Sequence, residues 1–365
     1  MNTSIQQKTN TKQKSPFVSV VVCSFNGEQR TGDCLSSLNK QTYNKKNFEI
    51  IVVDDGSTDN TSAIAQDFGA QVIRFDENKG IPVARNAGLF AAKGSIVVFI
   101  DDDCVADLHW LENLISAFKD ETIVAVGGKI LALSRNTLAE RYMEASGYGN
   151  PSRSPKNSAN SLIDRLAAYF STMVSPIMME KNIVDVLAIY TANAAYRRDT
   201  LLKLGGFDES LQTSEDSDVS ARIRANGGRI VYVPNAVVKH RHYKKISKVI
   251  YEPCRRAQNT LHFYLKEWKI PPVFPMPILF LLIASLSALL FYKKTIILMT
   301  IIGLLPLLLY GWWVARGFSE RKLEYVWYPY IQLIVESFVI IGMLRGLFDI
   351  FLHPTQSPRT DNFKQ

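Results

Sequence analysis

Short β-branched runs alternate with polar, helix-compatible stretches over the first 120 residues of this chain. Bounded by turn residues, these runs predict strands at residues 18–23, 49–53, 71–75 and 96–100. Helices are expected between them, around residues 35–40, then after a Ser57 or Thr58 cap through Ile64 and Phe68, and over residues 81–93. Pro82 fits the first turn of that third helix and Gly94 its stop. Asp107 is placed to cap a fourth, with Trp110, Leu111, Leu114, Ile115 and Phe118 on one face. Strand and helix alternating at this spacing predict an α/β fold, a mostly parallel sheet flanked by helices. The pattern weakens after Val126-Gly127-Gly128, and residues 150–160, rich in Ser, Pro and Asn, are expected to form a loop or lid. Order resumes at residues 185–196, with a helix over 216–225 and a last strand over 229–233 before Pro234.

From residue 272 onward the pattern changes. Residues 273–292, 295–315 and 325–344 are apolar runs of about 20 residues each, the length that spans a hydrocarbon core as helix. Glu336 is their one charged residue. Lys293-Lys294 leaves room only for a tight hairpin between the first two. Three spans with a cytoplasmic N-domain would put the C-terminus outside; a re-entrant last segment would keep it inside. Glu336, Arg345 and Asp349 either mark a polar path or, for the last two, pair four residues apart.

Charge sharpens this division. The 365 residues carry a formal net charge of +8. Residues 239–269 hold nine Lys or Arg against Glu252 and Glu267. A basic segment just before apolar runs fits the cytoplasmic leaflet and its anionic lipid, and makes nucleic acid the weaker partner. The N-terminus has no apolar core of a signal peptide, and the four cysteines show no paired or zinc spacing, so a reduced, cytoplasmic domain is expected. The organisation read here is a disordered tail (1–15), a catalytic domain (16–245), a basic juxtamembrane segment (246–270), a transmembrane region (271–351) and a tail (352–365). That is a multi-pass inner-membrane protein.

Candidate chemistry sits where two strands end in acids, at Asp54-Asp55-Gly56-Ser57-Thr58 and Asp101-Asp102-Asp103. Ligands of open α/β sheets bind at that edge. Three adjacent carboxylates repel one another unless a cation compensates them, which points to a divalent metal; the alternative is an acidic turn that caps the next helix. Alternation sets Asp101 and Asp103 on one side and Asp102 on the other. Neither G-x-G-x-x-G nor G-x-x-x-x-G-K-[ST] occurs, which removes the main support for dehydrogenase and P-loop functions.

Taken in order, Val20 to Asn26, Val53-Asp54-Asp55-Gly56-Ser57, Ala84-Arg85-Asn86-Ala87-Gly88, Asp101-Asp102-Asp103, Gly205-Gly206-Phe207-Asp208-Glu209 and Glu215-Asp216 resemble a family-2 glycosyltransferase of the GT-A fold, membrane-anchored bacterial type. The resemblance covers residues 18–240. It implies that Asn26 and its strand contact the nucleotide, that Asp54 or Asp55 holds the base while the other supports it, and that Arg85 helps hold the diphosphate. It further implies Asp101 and Asp102 on the substrate side, Asp103 ligating Mg²⁺ or Mn²⁺ with His240 nearby, and Glu215 beside Asp216 as catalytic base. Phe25 stands where the family often has tyrosine. The Q-x-x-R-W motif of processive synthases is missing, since Gln258 is followed by Asn-Thr-Leu-His.

The implied activity is metal-assisted, inverting transfer from a nucleoside-diphosphate sugar to a lipid-linked or cell-surface glycan acceptor. By composition alone, Asp54 is a turn former, Arg85 a solvated helix residue, Asp216 a helix N-terminal acid and His240 part of a basic face. A nucleotidyltransferase on a similar sheet would need phosphate ligands in a Gly-rich first loop, where only Gly27 stands. A non-catalytic scaffold would lack the acids, yet Asp55, Asp103 and Asp216 are present.

Overall fold

The computed structural model describes residues 15–151, 161–174, 180–211, 213–266, 271 and 273–352. Nearly all of the two expected tails and of the 150–160 connector lies outside them.

Strand β1 (Val18–Ser24) is buried along its whole length. Its side chains alternate between two apolar clusters. Val18, Val20 and Val22 face α1 (Glu28–Leu38) and α2 (Thr61–Asp67), while Val21 and Cys23 face α3 (Ile81–Ala91). β2 (Phe48–Asp54) and β4 (Ile96–Asp101) pair with β1 in parallel, and β3 (Gln71–Arg74) pairs with β2 in the same sense. A strand covered by helices on both sides must be apolar along its covered length, which β4 satisfies from Ile96 to Ile100, ahead of Asp101.

Helix starts differ from the sequence reading. α1 begins at Glu28, and the apolar pattern misses its start because residues 28–33 are polar or glycine. Asp59 accepts the Thr61 N–H at 3.1 Å at the head of α2, while Ser57 and Thr58 stay in the turn before it. Beyond the short β5 (Cys104–Ala106), α4 runs over Trp110–Ser116, and Asp107 contributes its backbone carbonyl rather than its carboxylate to the first turn.

The second half of the sheet mixes directions. β6 (Ile123–Ala132) is followed by α5 (Leu138–Ala145), α6 (Leu162–Val174), β7 (Val184–Asp185), β8 (Asn193–Arg197), α7 (Arg198–Lys203), α8 (Glu215–Ala225) and β9 (Arg229–His240). The order is β3-β2-β1-β4-β8-β6-β9-β5, with β7 also on β9. β9 does not stop before Pro234. It leaves register between Val233, opposite Gly128, and Val237, opposite Lys129, and then continues to His240. A proline lacks the ladder donor, and this bulge is where the strand absorbs it. Asn193 closes the excursion, donating to the carbonyls of Lys129 (3.0 Å) and Ala236 (2.9 Å) and accepting the Trp110 indole N–H at 2.8 Å. Before the bulge Val231 and Val233 face the α1 side of the sheet; after it Ala236 and Val238 do.

The C-terminal third is helical: α9 (Ile246–Lys266), α10 (Pro275–Phe291), α11 (Thr295–Leu309), α12 (Gly311–Glu320) and α13 (Tyr328–Leu352). Among the described residues, one helical stretch, Leu323–Leu352, is long and apolar enough to cross a membrane. α11 and α12 make a second only if taken as a single span bent by 65°, and α10 is shorter. The second apolar run of the sequence is therefore two helices. Glu336 is buried and satisfied, accepting from the Tyr169 and Tyr310 hydroxyls and the Gln332 amide. Asp349 takes the Gln258 amide of α9.

Candidate active site

Three strand ends, Ser24, Asp54 and Asp101, lie side by side at the carboxyl edge because β2 and β4 flank β1 in parallel register. The turn after β1 is locked to the turn after β2. Asn26, in the left-handed region at φ +49°, donates its N–H to Ser57 Oγ (2.9 Å) and accepts the Thr58 N–H on Oδ1 (2.9 Å). Asp54 is fully buried, holding the Ser57 N–H and the Ser62 hydroxyl, so it supports the turn. Asp55 accepts the N–H groups of Lys79 (2.7 Å) and Gly80 (2.9 Å) at the entry to α3, and burial pushes its carboxyl above the usual range.

The three acids after β4 part ways, as alternation predicts. Asp102 turns inward to the Ser24 hydroxyl and the Arg30 guanidinium (2.8 Å); burial pushes it up to about 6 against the pull of Arg30. Asp101 remains 36% exposed, 3.5 Å from Arg85. Asp103 faces His240, with 3.3 Å between its Oδ1 and the imidazole Nε2. This meeting depends on β9 reaching β5, where Cys104 pairs with His240. Cys104 Sγ completes a group of possible ligand atoms within 4.8 Å of one another. Burial pushes that thiol well above its ordinary value.

Across the cleft stands the first turn of α8. Ser214 precedes it at φ +70°, and Glu215, Asp216 and Asp218 crowd its N-terminus, where the helix dipole favours negative charge. Arg85, only 7% exposed, reaches Glu215 with one guanidinium nitrogen and Asp101 with the other. It therefore bridges two carboxylates in this structure instead of lying on a solvated helix face. Asp216 is half-buried and accepts the Ser217 N–H at 2.8 Å; burial, then the neighbouring Glu215, pushes its carboxyl up to about 7.

Asn86, next to Arg85, carries a role the sequence reading left unassigned. Its amide pairs with both backbone groups of Phe207 (2.8 and 2.9 Å) and reaches Glu209 at 2.8 Å, fixing the Gly205-to-Glu209 turn under α3. Its place in the Ala84-to-Gly88 motif was visible, but its partners lie more than 120 residues away. Asn86→Ala leaves the Phe207 N–H and C=O buried without partners and is expected to cost about 2–4 kcal/mol of stability, measurable by denaturant unfolding. Unchanged stability would show the turn to be held by other contacts.

A divalent cation fits this donor set. Asp103 offers a carboxylate and His240 a ring nitrogen at one partly open point, with a second carboxylate, Asp101, on the same edge.

Comparison with known proteins agrees with this layout. The family model described as glycosyl transferase family 2 matches residues 19–201. Glycosyltransferase AglE of Haloferax volcanii is 37% identical over 134 residues, 35% of this chain and 44% of that protein. The glucosyl-dolichyl phosphate glucuronosyltransferase of the same organism is 26% identical over 61% of this chain and 69% of its own length. The O-antigen chain rhamnosyltransferase WbaN of Salmonella anatum is 28% identical over 62% and 67%. The chain thus spans under half of one such relative and about two thirds of the others. Among solved structures, the mannosyltransferase PcManGT from Pyrobaculum calidifontis, in complex with GDP-Man and Mn²⁺, superposes with a TM-score of 0.58 at 19% identity, covering 92% of this chain and 88% of that one. That likeness is one of fold.

Proposed function

This chain belongs to glycosyl transferase family 2, and from that premise we propose that it inverts the anomeric centre of a nucleoside-diphosphate sugar while moving it to a hydroxyl of a lipid-linked or cell-surface glycan acceptor, with Asp216 as general base. One observation carries this reading: Arg85 joins Asp101 on the donor edge to Glu215 beside Asp216, so the two acidic groups share one cleft.

Each residue then has a task. The interlocked turns of Asn26 and Thr58 form the floor for the nucleotide, with Asp55 toward the base and Asp54 supporting it from below. Mn²⁺ held by Asp103 and His240 would neutralise charge growing on the departing diphosphate. Although burial disfavours its charge, Arg85 is held protonated by Glu215 and Asp101, and it fixes Glu215 in an ion pair. Asp216 is left as the carboxylate able to take the acceptor's proton. A single base for the acceptor hydroxyl is what direct displacement requires.

The acceptor class is supported by two relatives' names, one a glucosyl-dolichyl phosphate glucuronosyltransferase and one an O-antigen chain rhamnosyltransferase. The basic residues of 246–270 and the apolar region 271–351 would hold the catalytic domain, 16–245, on the cytoplasmic face of the inner membrane. NMR of the linkage formed by full-length protein from an α-linked nucleotide sugar and a polyprenyl-phosphate-linked acceptor tests the proposal. A β-linked product is expected; an α-linked product overturns inversion and with it the role of Asp216.

A further inference from the structure

The longest apolar helix, α13, is backed by the catalytic domain near its start and by α9 beyond it. Near its start Gln332 accepts the Tyr142 hydroxyl of α5 at 2.6 Å, and one turn on Glu336 accepts the Tyr169 hydroxyl of α6 at 2.9 Å. Gly342 and Gly346 then lie so close to α9 that a Cβ on either would overlap the carbonyl oxygens of Cys254 and Gln258. Asp349 takes the Gln258 amide a turn later. The contacts advance together, 254 with 342 and 258 with 346, so the two helices run parallel. α9 is itself fixed to the catalytic domain: Thr260 meets Ser214 hydroxyl to hydroxyl at 3.0 Å, and Arg256 lies over the Tyr148 ring.

From Gln332 to Asp349 this backing extends roughly 25 Å at 1.5 Å per residue, most of a hydrocarbon core about 30 Å thick. Were α13 to cross the bilayer, it would carry α9 into the hydrocarbon with Lys248, Glu252 and Arg255, and the edge of the catalytic domain after it. The cost of those charges excludes that arrangement. The outward face of α13 points the same way. Ile334, Ile341, Phe348 and Leu352 are exposed, and Arg345 is exposed among them. An apolar stripe interrupted by a cation, on a helix packed against α9, whose start and approach carry the exposed Lys244, Lys245 and Lys248, has the charge pattern of a helix lying on anionic lipid.

We propose that α13 lies in the plane of an anionic membrane surface and does not cross it, so that the chain on both sides of the α10–α11 hairpin stays on the face of the catalytic domain. The hairpin, two apolar helices joined at Lys293-Lys294, enters and returns an even number of times. The proposal does not depend on which sugar is transferred.

Two measurements on the full chain test it. In inverted bacterial membrane vesicles, with the cytoplasmic face outward, added protease is expected to remove both an N-terminal and a C-terminal epitope tag; a protected C-terminal tag means that α13 crosses. The four native cysteines are buried, so Phe348→Cys can be labelled selectively with a fluorophore. In vesicles of phosphatidylethanolamine and phosphatidylglycerol, a nitroxide at headgroup depth is expected to quench it more than one near the acyl-chain end. Stronger deep quenching, or none from either, overturns the proposal.

Discussion

Asp216→Asn is expected to lower sugar transfer by about 10²- to 10⁴-fold while leaving nucleotide-sugar affinity close to wild type, the range general-base loss produces. The side chain keeps its shape and its Ser217 contact, and what disappears is the capacity to take a proton. The same group sets the pH response. Its carboxyl is raised to about 7 in the folded chain, and only the ionised form can act, so wild-type kcat/KM should fall about tenfold per unit below that pH and level off above it. Glu215→Gln removes the neighbouring negative charge that helps raise Asp216, so the acid limb should move to lower pH. Isothermal titration with the nucleotide sugar and a pH series of initial rates separate these effects. Wild-type rates in Asp216→Asn would remove this residue from the proton transfer.

The second large effect belongs to Asp103. Asp103→Asn should reduce kcat by about 10²- to 10³-fold, as loss of a charge-stabilising group does, and make nucleotide binding insensitive to added Mn²⁺ or to chelator. Asp102→Asn gives the contrast, since that carboxylate faces Ser24 and Arg30 inside the domain. Its binding should keep the full metal response, and its penalty should appear in thermal stability. Calorimetric titration of both variants with nucleoside diphosphate, with and without Mn²⁺, checks the pair. The opposite pattern would assign the metal to the wrong acid.

The sequence made parts of this site legible for a physical reason. A parallel strand buried on both faces is apolar throughout, so the acids that follow it stand out, and Asp54, Asp101 and Asp103 are found where that pattern puts them. Arg85 and Asp216 could be singled out only through the ordered motifs, because a charged residue in a helix's first turns is commonplace until its partner across the cleft is known. Asn193 had no such marker, and Asn86 stood in a motif without a visible task, since the amides bond to backbone far away in sequence. Hydropathy marks an apolar run at residues 325–344, within the helical stretch Leu323–Leu352, but says nothing about what packs against it, and the contacts from Tyr142, Tyr169 and α9 come from residues far away in sequence. Proline misled most, because its usual meaning is an end, and β9 runs six residues past it.

That passage of β9 around Pro234 makes chain length itself part of the active site. Three residues, 234–236, have no counterpart on β6, and an odd number exchanges the faces toward which alternate side chains point. His240 shares the phase of Ala236 and Val238, which is how it comes to face Asp103. Loss or gain of one residue in this short segment must either reshape the bulge or slide the strand beyond it, and a one-residue slide would turn His240 to the opposite side with every residue of the site unmutated. In the divergence of such enzymes, point changes at 234–236 should therefore be tolerated far more readily than single-residue insertions or deletions.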